Sequence, residues 1–187
     1  RWLDMGCGLG GLVSWLRALG VEAHGAEEGW AADRCAERGI PIIDPLGCQG
    51  AYDVITCVEV IEHVVEPIPF LETVRALLRP GGLLWLTTGN SRRWAGRLQE
   101  WNYVIPEIHV SFFQPHTMSI AMTRAGLVPR EAIWIPGYTD IVRYKILKNV
   151  RAKSNWVASG VIPWGMVTRL TNRWYGAMDH PWAFAPT

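Results

Sequence analysis

The chain has 187 residues, a length that suffices for one domain with a sizeable core, or for one core with a modest lid. Its 18 Lys and Arg residues balance 17 Asp and Glu residues, so the formal net charge of +1 predicts no nucleic-acid partner. The cysteines form no C-x-x-C pair and no zinc-finger spacing, so we expect reduced thiols and no metal site. No apolar run approaches the roughly 20 residues that cross a bilayer, which favours a cytoplasmic protein with at most peripheral membrane contact.

The first half of the chain alternates short apolar runs with amphipathic helical stretches. This alternation is typical of β-α-β units, which build a mostly parallel sheet covered by helices. One run, YDVITCVEV, is almost continuously apolar, as strands buried on both faces are. Strands are predicted at 1–5, 21–27, 40–44, 52–60 and 83–89, and helices at 10–20, 29–39 and 67–79.

The second half is less regular. Residues 90–114 show no clear period, and a loop of that length is usually functional or disordered. A helix is predicted at 115–126, a strand at 127–135, a helical stretch at 138–176 and a last edge strand at 181–187. We therefore divide the chain into a core, 1–137, and a helical lid or tail, 138–187, and we expect a piece ahead of the first strand to be missing.

A glycine-rich loop follows the first strand in LDMGCGLGG. Gly6, Gly8 and Gly11 satisfy the dinucleotide-binding spacing G-x-G-x-x-G, whereas Asp4 and Gly10 also fit a different nucleotide loop. Backbone N–H groups at the start of the next helix can hold either a pyrophosphate or a carboxylate, so the loop alone does not identify its ligand. A tight turn without any ligand is a further interpretation of this motif.

An acidic residue ends the second predicted strand. Glu27 lies nineteen residues after Gly8, and a carboxylate at that place can accept hydrogen bonds from both hydroxyls of a ribose. NAD and an adenosine-containing ligand fit this position equally well. A solvated glutamate at the strand end, with Glu28 beside it, is the alternative.

Five segments occur in an order that is far more specific than any of them alone: DMGCGLGG, HGAEEG, YDVITCVEVIEHV, LLRPGGLLWLTTGN and HVSFFQPHTMSIAMTRAGL. Together they resemble the class I S-adenosylmethionine-dependent methyltransferases, and among these the branch that includes the ubiquinone-biosynthesis O-methyltransferases. The resemblance covers roughly residues 2–135. It implies a doubly wound, Rossmann-like α/β fold, with a seven-stranded, mostly parallel sheet whose last strand is antiparallel.

The resemblance also implies cofactor-binding positions along the carboxyl ends of the strands. The first loop would surround the amino-acid part of S-adenosylmethionine, and the acid after strand two would bind the ribose. The residue after strand three would lie beside the adenine, and the end of strand four would line the far side. In that order, the positions are Asp4, Gly6, Cys7, Gly8 and Gly10; Glu27; Asp44; and Cys57, Val58 and Glu59.

One departure from the family pattern lies after the fifth strand. The family commonly has TTPN where this chain has TTGN, so Gly89 gives the following loop more freedom than proline would. The resemblance therefore leaves the path of that loop open, and it does not extend to the tail from Tyr138 onward.

Two histidines are candidate general bases for a hydroxyl acceptor: His63 in EVIEHV and His109 in PEIHVSFF. His63 follows Glu59 by four residues, so the two side chains would share one face if this segment is helical. Each histidine could instead bond to backbone and fix a loop. Glu59, Glu62 and His63 could also hold a divalent cation, although a solvated helix start explains Glu62 without one.

Seven of the eleven tryptophans lie from Trp94 onward, an excess that predicts an aromatic cavity or an interface. Five aromatic residues of the irregular segment would suit a flat or lipophilic acceptor, with core packing as the alternative: Trp94, Trp101, Tyr103, Phe112 and Phe113. The tail interleaves Lys and Arg with apolar residues. We interpret it as a lid, and a surface that rests on a membrane is the alternative.

The sequence thus favours an enzyme that moves a methyl group from S-adenosylmethionine to a small, aromatic or lipophilic acceptor, with oxygen as the favoured atom. A nicotinamide-dependent oxidoreductase would keep the glycine loop and Glu27 but would leave EVIEHV and RPGG unexplained. A degenerate methyltransferase fold that serves as a partner subunit is the third hypothesis. The intact Asp4, Gly6, Gly8 and Glu27 argue against loss of the cofactor site. The oligomeric state stays open.

Overall fold

The computed structural model describes residues 1–130, 163–175 and 179–186. The chain forms two compact units: Arg1–Ala132 with Asp179–Thr187, and Ile133–Met178. The last strand of the chain thus belongs to the same unit as the first.

Six strands of the described residues form one sheet in the first unit: β1 Trp2–Met5, β2 Ala23–Ala26, β3 Tyr52–Val58, β4 Leu78–Gly89, β5 Leu127–Arg130 and β6 Asp179–Pro186. Their order is β2-β1-β3-β4-β6-β5. The four strands from β2 to β4 in this order pair in parallel, and β6 runs antiparallel to both β4 and β5. The chain leaves β1 on one side to form β2 and returns on the other side to form β3. That reversal creates a switch point at the carboxyl ends of β1 and β3, where open α/β sheets bind ligands.

Five α-helices are described: α1 Gly11–Ala18, α2 Gly29–Glu37, α3 Pro67–Leu77 and α4 Pro115–Arg124 in the first unit, and α5 Trp164–Tyr175 in the second. Proline begins both α3 and α4, where the missing N–H would have had no partner in the helix. Of the helices in the described ranges, none has the length and apolar character needed to span a membrane.

The core of the first unit consists of two apolar clusters. The larger one joins β1, β3 and β4 to α3 and α4, and its fully buried members include Leu3, Ile55, Leu71, Leu84 and Met118. The smaller one packs α1 and α2 against β2, through Val13, Leu16, Ala23 and Cys35. Each large buried side chain contributes about 1.5 to 3 kcal/mol of transfer free energy. The ends of the central strands are therefore held firmly, and the loops that leave them start from fixed points.

The prediction of a strand at 40–44 is wrong, because these residues form no ladder of paired residues. Ile42 forms a single isolated bridge with Gly25, and a short 3-10 helix, Pro45–Gly47, follows at once. Pro41 and Pro45 flank the bridge, and neither has an N–H that could extend a ladder. The described residues accordingly hold six strands, and the predicted seven are not reached there.

The sequence predicts that the last strand lies at an edge of the sheet, and this prediction is wrong. β6 lies between β4 and β5, with Leu84 opposite Phe184 and Leu127 opposite Pro186. The pattern of polar and apolar residues along a strand does not show whether the strand lies at an edge or inside the sheet. That position depends on which other strands pair with it. The predicted strand at 127–135 begins as β5, and its part beyond Arg130 lies outside the described residues, as do residues 138–162 of the predicted helical stretch.

The aperiodic segment after β4 contains two short 3-10 helices, Ser91–Trp94 and Leu98–Glu100. Asn90 pairs with Phe113 in a second isolated bridge, so the two ends of the segment meet beside the sheet. Ser91 supports this closure, because both its N–H and its hydroxyl donate to the Phe113 carbonyl. The predicted irregular segment is thus a closed loop at the carboxyl end of β4.

Candidate functional site

A cleft of about 740 Å³ lies along the carboxyl ends of β1 and β2. Four stretches form its walls: the glycine loop, the end of β2, the segment after α2, and the loop after β3 with the start of α3. Three of the predicted cofactor positions line it: Gly6, Glu27 and Asp44. The other lining residues are Met5, Ala26, Glu28, Ile42, Ile43, Pro45, Leu46, Val60, Val64 and Phe70.

Gly6 brings two loops of the site together. Its φ is +67°, and an added Cβ would lie 2.5 Å from Val60 Cγ2 in the loop after β3. β1 and β3 are parallel neighbours with Met5 opposite Cys57, so both loops leave the same edge of the sheet. Because only glycine permits this approach, the two loops form one continuous wall of the cleft.

Glu27 is fastened to the backbone through both carboxylate oxygens. Gly8 N–H donates to its Oε2 at 2.6 Å, and Glu28 N–H donates to its Oε1 at 3.1 Å. The side chain therefore ties the end of β2 to the glycine loop. A carboxylate can accept about four hydrogen bonds, so Glu27 keeps the capacity to accept from ligand hydroxyls.

Asp4 lies behind the glycine loop with only 5 % of its surface exposed. Thr56 Oγ1 donates to its Oδ1 at 2.6 Å, which joins β1 to β3. Burial raises the pKa of the Asp4 carboxyl, the Thr56 hydrogen bond lowers it in part, and the negative charge of Glu27 raises it further. A buried carboxyl whose charged form is stabilised only in part by its surroundings is typical of functional sites.

Asp44 caps the 3-10 helix that follows the isolated bridge. Its Oδ1 accepts the Leu46 N–H at 2.9 Å, while the residue lines the cleft. The apolar wall beside it was missed at the sequence level: Ile42, Ile43, Leu46 and Phe70. Most of this wall lies in or just after IPIID, the segment predicted as a strand at 40–44. Because the ladder stops after one bridge, its isoleucines become part of the wall. The combination of an apolar slot and one carboxylate suits a flat aromatic ring with polar edges.

Three predicted cofactor positions face the interior instead. Cys7 is 8 % exposed, and burial raises the pKa of its thiol to about 12. Cys57 is fully buried, and burial likewise raises the pKa of its thiol. Gly10 packs on the inner side of the loop, where an added Cβ would lie 2.5 Å from Ile40 Cδ1. The side chains of the two cysteines therefore cannot contact a ligand in the cleft, and only their backbone groups can.

The end of β3 leads into a strained residue. Glu59 has a φ of +55°, and it is the only non-glycine with a positive φ in the described part of the chain. Thr87 Oγ1 donates to its Oε1 at 3.1 Å, and Tyr103 O–H donates to its Oε2 at 3.0 Å. Val58, just before it, is 46 % exposed. A left-handed residue costs about 1 kcal/mol and persists where its contacts hold it, often at a functional site.

His63 and His109 meet across the fold. Their ring centroids lie 4.8 Å apart with an interplanar angle of 66°. His63 Nδ1 lies 2.9 Å from the Ile108 carbonyl, which can only accept, so Nδ1 is the donor and, in the neutral ring, Nε2 carries the lone pair. His109 Nδ1 is buried with no hydrogen-bond partner among the described residues. One ring nitrogen of each histidine lies within 4.8 Å of the other.

The segment that carries His63 is not an α-helix. Ile61–His63 forms a single 3-10 turn, and Glu59 precedes it in the left-handed conformation, so these two side chains do not share a helical face. Glu62 joins the histidines instead. Glu62, His63 and His109 each offer one ligand atom, all within 4.8 Å of one another, so this set fits a divalent cation better than the alternative set of Glu59, Glu62 and His63 does.

Aromatic rings extend from the histidine pair into the loop after β4. His109 lies 4.7 Å from Tyr103, and Tyr103 lies 4.7 Å from Trp101 between ring centroids. Trp101 in turn stacks on Trp94 at 6.3 Å with an interplanar angle of 10°, and contacts Phe112. Four of the five aromatic residues singled out in the sequence thus form one group beside the histidines. Phe113 belongs to the core instead, as the alternative interpretation allowed.

The chain matches a protein family described as a methyltransferase domain over residues 1–132. The ubiquinone biosynthesis O-methyltransferase of Bordetella pertussis is 29 % identical over 153 residues, which are 69 % of this chain and 62 % of that protein. The enzyme of the same name from Marinobacter nauticus is 31 % identical over 175 residues, 80 % of this chain and 73 % of that protein. That of Parvibaculum lavamentivorans is 41 % identical over 103 residues, 48 % of this chain and 40 % of that protein. The chain thus spans between 40 % and 73 % of the length of these three relatives, and 62 % of the Bordetella protein.

Solved structures show the same fold at low sequence identity. A chain of the complex between the Haloferax volcanii Trm112 methyltransferase activator and its methyltransferase has a TM-score of 0.65 and 16 % identity. The match covers 99 % of this chain and 81 % of that one. A SAM-dependent methyltransferase from Archaeoglobus fulgidus has a TM-score of 0.62 and 16 % identity, covering 99 % and 85 %. The family match covers most of the chain, and the sheet, the glycine loop and the acid after β2 agree with it. The chain therefore belongs to the class I S-adenosylmethionine-dependent methyltransferases.

Proposed function

We propose that this protein transfers the methyl group of S-adenosylmethionine to a hydroxyl oxygen of a small aromatic or lipophilic acceptor. One observation carries the proposal. The loop after β3 lines the cleft with Val60 and Val64, and the same loop carries His63 beside His109. A cofactor in the cleft and an acceptor beside the histidines would therefore meet across a single loop.

The cofactor positions follow from the cleft. The amino-acid part would lie against the backbone of Gly6 and Gly8, with Asp4 behind it, and Glu27 would accept from the ribose hydroxyls. Asp44 and the apolar wall would hold the adenine. Val58 and Glu59 would lie on the far side, at the start of the loop that separates cofactor from acceptor. The interior packing of Cys7, Gly10 and Cys57 limits them to backbone contacts or to support of the loop.

The chemistry needs little more than alignment and a base. The sulfonium supplies an activated methyl group, and its departure leaves a neutral thioether. Alignment of the acceptor oxygen with that methyl carbon is worth several kcal/mol, about 7 or more in favourable cases. A hydroxyl acceptor must also lose its proton, and the free Nε2 of His63 is the proposed base. His109, which packs against His63, would orient or share that proton.

The nature of the acceptor is proposed from the aromatic group. Trp94, Trp101 and Tyr103 present flat, mostly apolar faces next to the histidines. A phenol or catechol would stack on such faces and direct its hydroxyl toward His63. The names of the curated relatives agree with O-methylation. The tail, for which α5 is the described helix, would serve as a lid.

The alternative of a nicotinamide-dependent oxidoreductase, which keeps the glycine loop and Glu27, loses its support because the chain matches a methyltransferase family over residues 1–132. One hypothesis still competes with this proposal. A catalytically degenerate member that supports a partner protein would bind the cofactor without turnover. The complex of the Haloferax volcanii methyltransferase with its activator illustrates that members of this fold assemble with other proteins.

Two experiments test the proposal in sequence. Isothermal titration calorimetry with S-adenosylhomocysteine, NADH and NADPH decides the cofactor, and we expect micromolar binding of the first ligand alone. Trideuteromethyl S-adenosylmethionine is then incubated with 3,4-dihydroxybenzoic acid and with 4-tert-butylcatechol, and trideuteromethylated product is measured by mass spectrometry. Binding of a nicotinamide cofactor would overturn the methyltransferase proposal. Binding of S-adenosylhomocysteine without transfer to either catechol would contradict the proposed acceptor class.

The role of His63 has its own variant. His63→Gln keeps a donor for the Ile108 carbonyl but cannot take up a proton, so we expect kcat to fall by about 100-fold at pH 7 with unchanged cofactor affinity. The matched control is His116→Gln, which changes an exposed histidine in α4. A decrease in both variants, or in neither, would reject His63 as the base.

A further inference from the structure

Two side chains from the end of α2 hold the glycine loop from behind. The thiol of Cys35 donates to the Gly8 carbonyl at 3.3 Å. The guanidinium of Arg38 donates to the Leu9 carbonyl at 2.7 Å. Cys35 is fully buried, whereas Arg38 is exposed at the C-cap of the helix. Neither side chain lines the cleft, and the motifs of the sequence assign neither of them to the site.

The end of α2 is itself packed against the loop. A Cβ added at Gly10 would lie 2.5 Å from Ile40 Cδ1 and 3.2 Å from Cys35 Sγ, so the backbone of Gly10 rests directly on both side chains. Cys35 and Ile40 belong to the smaller apolar cluster, together with Val13 of α1. Because this cluster is buried, the two donors at the end of α2 start from a fixed place behind the loop.

The two hydrogen bonds anchor the two peptide planes that flank Leu9. In a trans peptide, the carbonyl of one residue and the N–H of the next point in opposite directions. The Gly8 carbonyl faces α2, so the Leu9 N–H faces away from it. The Leu9 carbonyl also faces α2, and the Gly10 N–H of that plane closes a turn with the Cys7 carbonyl at 2.9 Å. The end of α2 thus fixes the backbone on both sides of Leu9 and the direction of its N–H.

The Leu9 N–H differs from its neighbour in being unoccupied. Gly8 N–H donates to Glu27 Oε2 at 2.6 Å, so the protein itself uses that donor. The Leu9 N–H donates to no acceptor among the described residues. A backbone N–H in the loop ahead of a helix is suited to a carboxylate. Of these two donors, the Leu9 N–H is therefore the one available to a ligand.

We propose that Arg38 and Cys35 are positioning residues of the cofactor loop, which turn two carbonyls toward α2 and so present the Leu9 N–H to the carboxylate of the cofactor. The inference rests on the proposed place of the amino-acid part beside the glycine loop, and not on the proposed acceptor. Arg38 contributes more than Cys35, because a charged guanidinium forms stronger hydrogen bonds than a thiol does.

The proposal predicts a defect that is confined to one part of the ligand. Loss of either donor frees the loop and weakens its contact with the amino-acid part. The contacts of ribose and adenine should persist, because Glu27 and Asp44 are also held by backbone N–H groups outside the loop. A merely structural role of α2 would instead weaken the binding of the whole ligand.

The test compares two ligands that differ in the amino-acid part. 5′-Methylthioadenosine has the adenine, ribose and sulfur of S-adenosylhomocysteine but lacks its amino and carboxyl groups. Calorimetry gives the dissociation constants of both for the full chain. We expect Arg38→Ala to weaken S-adenosylhomocysteine by about five- to tenfold and 5′-methylthioadenosine by less than about twofold. Arg34→Ala is the matched control, because Arg34 is also exposed on α2 but pairs with Glu37.

Cys35 is tested by a pair of variants at one position. Cys35→Ser keeps a donor for the Gly8 carbonyl, and Cys35→Ala removes it. We expect S-adenosylhomocysteine to bind about threefold more weakly to Cys35→Ala than to Cys35→Ser, with equal affinities for 5′-methylthioadenosine. Circular dichroism melts identify the temperature at which each variant is folded for the titration. Equal affinities of the two variants for S-adenosylhomocysteine would remove Cys35 from the proposal.

Direct attraction between the Arg38 charge and the ligand carboxylate is the competing explanation, and salt separates the two. Salt screens exposed charges that do not touch, whereas the hydrogen bond to the Leu9 carbonyl acts through the geometry of the loop. The loss in Arg38→Ala should therefore persist at about 0.5 M NaCl. A loss confined to low salt, a parallel loss for 5′-methylthioadenosine, or an equal loss in Arg34→Ala would overturn the proposal.

Activity separates this inference from the proposed function. If either catechol is methylated, Arg38→Ala should raise the KM for S-adenosylmethionine by about five- to tenfold and leave kcat within about twofold. If neither catechol is methylated while the two ligands behave as expected, the positioning role stands and the proposed acceptor is wrong. A wild-type chain that binds both ligands equally would overturn the place of the amino-acid part, and this inference with it.

Discussion

At the scale of one residue, burial of the Asp4 carboxyl makes the stability of the folded state depend on pH. Its buried carboxyl has a raised pKa, so the folded protein binds a proton more tightly than the unfolded chain does. The folded state is therefore favoured at low pH, and that advantage is lost as pH rises from the unfolded pKa, about 3.9, through the folded one. Retention of a buried carboxyl at this cost agrees with a role in the cofactor loop.

Replacement of Asp4 by Asn should separate the two effects. Asn keeps an oxygen that accepts from Thr56 but carries no charge, so we expect a higher melting temperature at pH 7 and a gain that shrinks toward pH 4. Affinity for S-adenosylhomocysteine should fall at least tenfold, about 1.4 kcal/mol. Circular dichroism melts at both pH values and calorimetry check this. Asp33→Asn, which changes an exposed residue of α2, is the control, and a lower melting temperature for Asp4→Asn at pH 7 would refute the argument.

Glu27 and Glu28 lie side by side in the cleft, and only Glu27 is held by two backbone N–H groups through its side chain. Glu27→Gln replaces one acceptor oxygen by a donor, which opposes an N–H group or a ribose hydroxyl. We expect affinity for S-adenosylhomocysteine to fall by about 10- to 100-fold, and by less than about threefold in Glu28→Gln. Calorimetry measures both. Equal losses would mean that the ribose carboxylate has been assigned to the wrong residue.

At the scale of elements, the site depends on the contact between the loops after β1 and β3. Gly6 and Gly8 both have positive φ, but only Gly6 has a neighbour where a Cβ would lie. Gly8→Ala should therefore cost about 1 kcal/mol of unfolding free energy, the conformational term alone. Gly6→Ala should cost more, because the new methyl group meets Val60 and forces the loops apart.

The double variant Gly6→Ala, Val60→Ala tests that explanation. Removal of the Val60 methyl groups relieves the collision but not the strain at φ +67°. The double variant should therefore lose less unfolding free energy than Gly6→Ala alone, and about as much as Gly8→Ala. Urea unfolding of the three variants and wild type gives the coupling free energy between the two positions. Strictly additive effects would show that the loops do not rest on each other through this contact.

At the scale of the whole molecule, β6 joins two strands that are distant in the sequence, β4 and β5. It pairs with β4 over six residues and with β5 over four, so it completes the sheet between them. Deletion of residues 179–187 should expose the long edge of β4 and detach β5, with loss of cooperative unfolding and association into oligomers. Thermal melts and size-exclusion chromatography measure this, with removal of residue 187 alone as the control. A monomeric, cooperatively unfolding deletion variant would contradict the role of β6.

The sequence predicted the elements that depend on local pattern. The glycine loop with Glu27, the apolar run of β3 and the proline starts of α3 and α4 depend on neighbours along the chain, so they can be recognised there. The strand at 40–44 failed because two prolines prevent a ladder, a rule that the apolar letters IPIID concealed. The cysteines were assigned to the ligand because the motif gives a position along the loop but not the direction of the side chain.

What the sequence by itself determined is the family, the parallel β-α-β order and the presence of a carboxylate, Glu27, directly after β2. These follow from residues that are close in the chain or from motifs in a fixed order. Only the tertiary structure decided that β6 lies inside the sheet, and that Glu62, His63, Tyr103 and His109 form one cluster on Gly89. Contacts between loops that leave different strands depend on strand order and on close approach of side chains, and neither leaves a period or a spacing in the sequence.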